Sequence, residues 1–174
     1  MIKLRQAQFS DYSAIAKLHA ENWRQNYRGI LSDEYLDKEV EKDRLDTWYG
    51  RLKSPVENQL ITIAASDDSI VGFCCVFLND DPVFGSLIDN LHVSMNWQKS
   101  GIGKILVKES AKKICDKADT RKMYLWVFES NKNARIVYER LGGTCFETID
   151  KKNEDGTISK TCRYIWDDVL KLPG

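Results

Sequence analysis

The chain has 174 residues, of which 43% are apolar and 30% are charged, a mixture typical of globular domains. Its 26 basic and 26 acidic residues cancel to a formal net charge of zero, which argues against a nucleic-acid or anionic-membrane partner. No stretch approaches the roughly 20 apolar residues of a transmembrane helix, and the first residues lack the apolar core of a secretory signal. We therefore expect a single domain over residues 1–174, without a nucleic-acid or membrane partner.

The cysteines and histidines indicate neither a disulfide framework nor a metal site. The five cysteines are odd in number and contain no C-x-x-C pair, which favours free thiols in a reducing cytoplasm. The two histidines, His19 and His92, form no cluster with zinc-ligand spacing. We expect a cytoplasmic protein with no metal.

The front of the chain predicts one strand followed by two helices. A short strand is expected over residues 2–7. Ser10 is the predicted cap of a first helix that ends near residues 28–29. A second helix is predicted to begin at Ser32, and Pro55 prevents it from continuing far.

The remaining chain alternates between strand and helix patterns. The predicted elements are strands at 60–65 and 70–78, a turn at 79–82, a strand at 87–95, a helix at 102–118, a strand at 123–128, a helix at 131–141, and a hairpin of strands 144–150 and 158–166. The order is β-α-α-β-β-β-α-β-α-β-β. This order predicts an α/β (mixed α+β) fold, whose mixed, mostly antiparallel sheet is flanked by helices and contains one right-handed crossover.

The most informative segment runs from residue 91 to residue 104, where a strand ends, a polar loop follows and a helix begins. The loop contains Gly101 and Gly103, which lack a Cβ that would block close approach of a ligand. The backbone N–H groups at the start of a helix have no partner within the helix and lie at the positive end of its dipole. Such a segment is suited to binding phosphate.

Three phosphate-binding patterns can be compared with this loop. A P-loop is excluded, because Gln98 replaces its first glycine and Ile105 replaces its hydroxyl residue. A dinucleotide fingerprint fits poorly, since Leu106 occupies the position of the third glycine. The pattern Q-x-x-G-x-G is met by Gln98, Gly101 and Gly103.

This last pattern resembles the cofactor motif of the GCN5-related N-acetyltransferase (GNAT) superfamily. The match extends beyond the loop, because Leu91-His92-Val93 is similar to the family's Leu-x-Val strand end. Downstream, the family's strand–Asn–Ala–Tyr–Gly pattern is matched by Asn131, Ala134, Tyr138 and Gly142. The predicted element order agrees over nearly the whole chain.

The resemblance implies that acetyl-CoA is the cosubstrate. The residues that would hold its pyrophosphate are Gln98, Lys99, Ser100, Gly101, Ile102, Gly103 and Lys104. The strand end formed by Leu91, His92 and Val93 would meet the pantetheine arm, with backbone groups of Leu91 and Val93 pairing with it like an added strand. Asn131 would lie near the arm at the start of the next helix.

The resemblance also suggests candidate catalytic residues. Tyr138 lies on the packed face of its helix and can be purely structural, although the family's tyrosine at this place often protonates the departing thiolate. Asp89 is the candidate base, because its side chain would point to the same face of the sheet as that of Val93 in a regular strand. A bulge would instead favour His92 or Asn90, and two further acidic residues remain options, Glu21 and Glu129.

The activity implied is transfer of an acetyl group to a primary amine of a small molecule or peptide, by direct attack while both substrates are bound. The segment from Trp23 to Leu31 would help to wall the acceptor site. The alternative from another class is a non-catalytic acyl-CoA-binding sensor or interaction domain on the same scaffold. A homodimer is compatible with the resemblance, and the sequence does not identify the acceptor.

Overall fold

The computed structural model describes residues 1–67 and 69–173. In chain order, its elements are β1 (Ile2–Gln6), α1 (Tyr12–Asn26), α2 (Val40–Lys53), β2 (Gln59–Ser66), β3 (Ser69–Asp81), β4 (Gly85–Val93), α3 (Ile102–Lys117), β5 (Met123–Phe128), α4 (Lys132–Arg140), β6 (Thr144–Lys152) and β7 (Ile158–Trp166). This succession of strands and helices is the one that the sequence predicts.

All seven strands belong to one sheet, in the order β1-β2-β3-β4-β5-β7-β6. Every neighbouring pair is antiparallel except β4 and β5, which are parallel and joined through α3. The predicted mixed, mostly antiparallel sheet is therefore confirmed.

The helices cover the sheet on two faces. On one face, α3 buries Leu106 and Ile114 against the sheet, and Tyr138 of α4 packs against the same core. On the other face, α1 and α2 contribute Ile15 and Trp48 to a second core. Among the described residues, no helix combines the length and the apolar character needed to cross a membrane.

Two local predictions were wrong because side chains form hydrogen bonds that local patterns do not reveal. Ser10 does not cap α1, since a 3-10 turn precedes the helix and Asp11, paired with Arg5, accepts the Gln8 N–H at 2.7 Å. The turn predicted at 79–82 lies later, because β3 continues to Asp81. Its carboxylate then accepts the N–H groups of the next turn at 2.7 and 2.9 Å.

The second helical segment begins directly after Ser32, as the sequence predicts, but its first part is irregular. Ser32 does accept the Tyr35 N–H through its hydroxyl, at 3.3 Å, as a capping residue would. The chain then winds as a wider π-helical turn over Tyr35–Glu39 before the regular α2 begins at Val40.

Candidate functional site

A gap opens in the middle of the sheet, between β4 and β5. The two parallel strands pair only at their beginnings, and the last pair is Ile88 with Leu125. Beyond this pair the remainder of β4 has no partner on its β5 side among the described residues. The strands diverge and leave a groove between them.

The end of β4 presents backbone hydrogen-bonding groups to this groove. The Ser94 N–H donates to the Val71 carbonyl across β3 at 2.8 Å. Because N–H and C=O groups of successive strand residues point to opposite edges, those of Leu91 and Val93 face the open side. An extended ligand lying in the groove could pair with the Leu91 groups and the Val93 N–H as an added strand would. The Val93 carbonyl already accepts a hydrogen bond from the Asn22 side chain at 3.1 Å.

The amino-terminal end of α3 closes one end of the groove. Gly101 precedes the helix with φ +87°, a left-handed conformation that side chains disfavour, and a Cβ on it would point into open space. The first helical hydrogen bond is donated by Ile105 to the Gly101 carbonyl at 3.0 Å. The amides of the preceding residues therefore lie at the positive end of the helix dipole, where an anion is favoured.

The groove encloses about 970 Å³ and brings nearly the whole predicted set of site residues together. The predicted residues that line it are Asp89, Leu91, His92, Val93, Gln98, Lys99, Gly101, Ile102, Gly103, Lys104, Asn131 and Tyr138. Ser100 is the exception, since it is absent from the lining and its hydroxyl donates to the Trp97 carbonyl at 2.5 Å.

The start of α4 forms the opposite wall of the groove. Asn131 caps this helix, with its side-chain oxygen accepting the Ala134 N–H at 3.2 Å. Tyr138 is half-buried and its ring lies 5.9 Å from that of Tyr164, so the tyrosine does pack. Its hydroxyl has no hydrogen-bond partner among the described residues, and burial raises its pKa. The hydroxyl thus stays protonated at neutral pH and is available as a donor.

A β-bulge carries Asp89 to the other face of the sheet. Val76 pairs with Ile88, but the adjacent Cys75 pairs with Asn90, so Asp89 is the extra residue. Because of the bulge, the side chains of Asp89 and Val93 do not point to the same face, as they would in a regular strand. The Asp89 carboxylate instead accepts a hydrogen bond from Arg51 of α2 at 2.6 Å.

Next to the bulge, two histidine rings lie 4.2 Å apart beneath the groove. His92 lines the groove, whereas His19 is buried and accepts the Trp48 indole N–H at 3.0 Å. Burial, and then the positive charge of Arg44, lower the pKa of His92 to about 3. Burial also lowers the pKa of His19, so both rings are neutral at physiological pH. A neutral ring with so low a pKa is a weak acceptor for the proton of an ammonium group.

Sequence reasoning missed Asn22, which lies on α1 and is 5% exposed. Its side chain donates to the Val93 carbonyl at 3.1 Å and lines the groove. The available signal was a polar residue at the apolar spacing of the first helix, since a buried amide must find a partner.

Of the predicted acceptor segment, Trp23 and Tyr27 line the groove, whereas Leu31 is buried in the core.

The residues that the structure describes contain no group of three potential metal ligands. In the same part of the chain, all five cysteines are free, and four are partly or fully buried. Cys145 is exposed, so it does not act as the apolar core residue that the sequence suggests.

Comparisons with known proteins agree with this architecture. Among solved structures, the PaiA N-acetyltransferase of Thermoplasma acidophilum in complex with coenzyme A superposes with a TM-score of 0.72 and 19% identity, covering 92% of this chain and 98% of that one. The Arabidopsis thaliana NAA60 structure with a bisubstrate analogue has a TM-score of 0.71 and 18% identity, covering 95% and 98%. These likenesses show a shared fold.

Sequence comparison identifies the family. A Bacillus subtilis protein described as the uncharacterized N-acetyltransferase YuaI is 25% identical over 135 residues, which are 75% of this chain and 74% of that protein. The sequence model of the acetyltransferase (GNAT) family matches residues 15–143, well over half of the chain. The chain therefore belongs to the acetyltransferase (GNAT) family and is an N-acetyltransferase, as its loop motif and element order predict.

Proposed function

We propose that this chain, acting as one domain, transfers the acetyl group of acetyl-CoA to a primary amine of a small molecule or peptide. The amine attacks directly while both substrates are bound. The observation that carries the proposal is the groove between β4 and β5, which joins strand backbone without a β5 partner to the amino-terminal end of α3. Two structures of the same fold hold coenzyme A and a bisubstrate analogue, which supports binding of this cosubstrate and a ternary complex.

In this proposal the cosubstrate binds along the length of the groove. The amides that begin α3 hold the pyrophosphate, and the left-handed Gly101 lets the backbone approach it closely. The pantetheine arm pairs with the backbone of Leu91 and Val93 as an added strand. Asn131, at the start of α4, faces the arm from the opposite wall.

The transfer itself needs a deprotonated amine, a polarised carbonyl and a protonated leaving group. The amine nitrogen attacks the thioester carbon, a C–N bond forms, and the C–S bond breaks. The Val93 N–H, on the open edge of β4, stabilises the negative charge that develops on the carbonyl oxygen. The Tyr138 hydroxyl donates its proton to the departing thiolate and is reprotonated from solvent, since its raised pKa favours the neutral form.

The remaining step is removal of a proton from the acceptor ammonium. We propose Asp89 as the base because this residue lines the groove at the bulge of β4. Its Oδ2 atom accepts hydrogen bonds both from Arg51, at 2.6 Å, and from the adjacent Asn90. A variant at Asp89 is a direct test of this assignment.

The conditions of the reaction follow from the same features. Free thiols favour a reducing compartment, and we propose that the protein works in the cytoplasm. The zero formal net charge favours a small or peptidic acceptor over nucleic acid. No step of the proposed chemistry requires a metal ion.

One experiment tests the proposal against the non-catalytic alternative. Calorimetry measures acetyl-CoA binding, and a thiol-release assay with a panel of primary amines measures turnover. We expect saturable binding together with amine-dependent release of free CoA. Binding without release for any amine would favour a sensor, and absence of binding would contradict both.

A further inference from the structure

The hydrogen bond between Asn22 and Val93 fixes the position of the proton on the His92 ring. The side-chain nitrogen of Asn22 donates to the Val93 carbonyl at 3.1 Å, so this atom is the NH₂ group of the amide and not its oxygen. The same nitrogen lies 3.5 Å from Nδ1 of His92. A donor on Nδ1 would face this NH₂ group, so Nδ1 carries the lone pair. The single proton of the neutral ring therefore lies on Nε2.

The rings below His92 hold it in one orientation. The indole N–H of Trp48 can only donate, and Nδ1 of His19 accepts it at 3.0 Å, so His19 also carries its proton on Nε2. The His92 ring lies 4.2 Å from the His19 ring and 5.3 Å from the Phe73 ring. His92 is therefore a packed ring with one tautomer, and its donor is positioned before any ligand binds.

The Nε2–H group of His92 is accessible from the groove. His92 lines the groove, and its Nε2 forms no hydrogen bond with the described residues. Among these residues, the buried side-chain nitrogens that lack a partner are His19 Nε2, Arg44 Nε and Arg163 Nε, and His92 Nε2 does not belong to this set. The donor of His92 thus finds its partner in whatever occupies the groove.

The same group lies on the side of the sheet from which an amine can approach. The His92 ring packs with Phe73, which belongs to the core under α1 and α2. Leu91 and Tyr138 pack instead against the core under α3. In the proposed transfer, Tyr138 protonates the departing sulfur, and the leaving sulfur and the entering nitrogen lie on different sides of the carbonyl carbon. The amine therefore enters on the side of His92.

The charge close to His92 on this side is positive. The Arg44 guanidinium lies 4.4 Å over the Trp23 ring, and its charge acts together with burial to lower the pKa of His92. Arg44 is 7% exposed, and Asp43 accepts one of its hydrogen bonds at 2.9 Å. A positive charge here disfavours a second cation and favours the negative end of a carbonyl dipole.

From these contacts we infer that His92 Nε2 donates a hydrogen bond to a carbonyl oxygen that the acceptor carries close to its amine nitrogen. The acceptor class is an amine with such a carbonyl, as in an amino-acid amide, in preference to a simple alkylamine. His92 acts in binding and not as the base, because its accessible nitrogen already carries a proton. The inference rests on the proposed function, because the amine nitrogen is the acetyl acceptor.

The kinetic test compares glycinamide with n-propylamine, an amine of similar length without the carbonyl. The ratio of their kcat/KM values is measured for the wild type, His92→Phe and His92→Gln. Comparing this ratio between proteins removes the difference in basicity between the two amines. His92→Phe should lower the ratio by about three- to tenfold, the scale of one hydrogen bond between uncharged groups. His92→Gln should retain more of it, because its amide N–H can take the place of Nε2–H.

A control and a spectroscopic measurement separate the donor from packing. His19→Phe removes the neighbouring ring nitrogens outside the groove lining and should lower stability without changing the ratio. The chain has two histidines, so nitrogen-15 NMR of the untagged, ring-labelled protein resolves both, and the spectrum of His92→Gln assigns them. We expect a protonated Nε2 and an unprotonated Nδ1 on His92. This measurement needs no substrate.

The outcomes distinguish this inference from the function on which it rests. A protonated Nδ1 on His92, a wild-type ratio in folded His92→Phe, or an equal fall of the ratio in His19→Phe overturns the carbonyl contact and leaves the acetyltransferase intact. Failure to turn over any amine overturns both. A ratio that falls in His92→Phe, recovers in His92→Gln and is unchanged in His19→Phe supports the contact.

Discussion

The side chain of Asn22 donates a hydrogen bond to the backbone carbonyl of Val93 at 3.1 Å, from a buried position on α1 to the last residue of β4. The carbonyl faces the open edge of the strand, where β5 no longer provides a partner. The amide side chain therefore replaces a neighbouring strand at the point where the sheet opens. It holds the end of β4 in place beside the groove.

Replacing Asn22 with alanine should disturb both the fold and the groove. We expect the free energy of unfolding in urea to fall by about 1–2 kcal/mol, the usual scale for a buried hydrogen bond. Because Val93 loses its anchor, kcat/KM for acetyl-CoA should fall by about tenfold. A matched control is Asn58→Ala, which loses a similar bond, 2.9 Å to the Leu78 carbonyl, away from the groove. Equal kinetics in the two variants would return Asn22 to a purely structural role.

Gly103→Leu should interfere with phosphate binding without loss of stability. A Cβ at Gly103 meets only the Val93 side chain, at 3.9 Å, so the helix accommodates it and the larger side chain extends toward the groove. We expect calorimetry to show acetyl-CoA affinity at least about tenfold weaker, or ~1.4 kcal/mol. Gly50→Leu, at an open position of α2, is the control for the change in helix propensity. Unchanged affinity in the folded Gly103 variant would remove phosphate binding from the start of α3.

Tyr138→Phe separates chemistry from packing, because it keeps the ring and removes only the hydroxyl. If Tyr138 protonates the thiolate, kcat should fall by about 10²-fold or more while acetyl-CoA affinity stays nearly constant. Profiles of kcat against pH for both proteins provide the measurement. The control is Tyr164→Phe, whose hydroxyl bonds Glu139 at 2.6 Å, so that variant should lose stability and keep its kcat. If the kcat profiles of the wild type and Tyr138→Phe superimpose, Tyr138 is not the general acid.

Two substitutions at the bulge of β4 test the proposed base. If Asp89 accepts the proton, Asp89→Asn should lower kcat by about 10²-fold. Arg51→Gln leaves the carboxylate in place and should keep kcat within a few-fold. Both variants lose the same partly exposed ion pair and should be less stable by at most about 1 kcal/mol. A similar kcat in both variants would reduce Asp89 to a structural partner of Arg51.

The two histidines predict how stability changes with pH. Their folded pKa values lie below the ordinary value near 6.5, and that of His92 is about 3, so the unfolded chain binds more protons between these limits. The part of the unfolding free energy that depends on the two histidines should therefore be fully present above about pH 6.5. It should fall as the pH drops through this window, by up to about 1.4 kcal/mol per pH unit for each histidine. Urea unfolding of the wild type and His92→Gln measures the slope, which should be smaller in the variant. Parallel slopes would contradict a depressed His92 pKa.

The elements that sequence reasoning placed well are those encoded by neighbouring residues. The helix over Ile102–Lys117 follows from its apolar spacing and from Gly101 before it, and the strand Met123–Phe128 matches its predicted bounds. Side-chain hydrogen bonds changed other boundaries. The predicted turn at 79–82 instead lies at residues 82–84, where the Asp81 carboxylate accepts the N–H groups of Val83 and Phe84.

By itself, the sequence determined the order of the elements, the phosphate-suited start of α3 and the membership of the family, because periodicity, turn chemistry and loop motifs depend on residues close together in the chain. Only the tertiary structure decided which face Asp89 occupies, which side chain anchors Val93 and which turn closes the groove beside Tyr27. These features depend on strand register and on hydrogen bonds such as that between Ser32 and Asp155, which are 123 residues apart. Such contacts form only when distant segments pack, so no local pattern carries them.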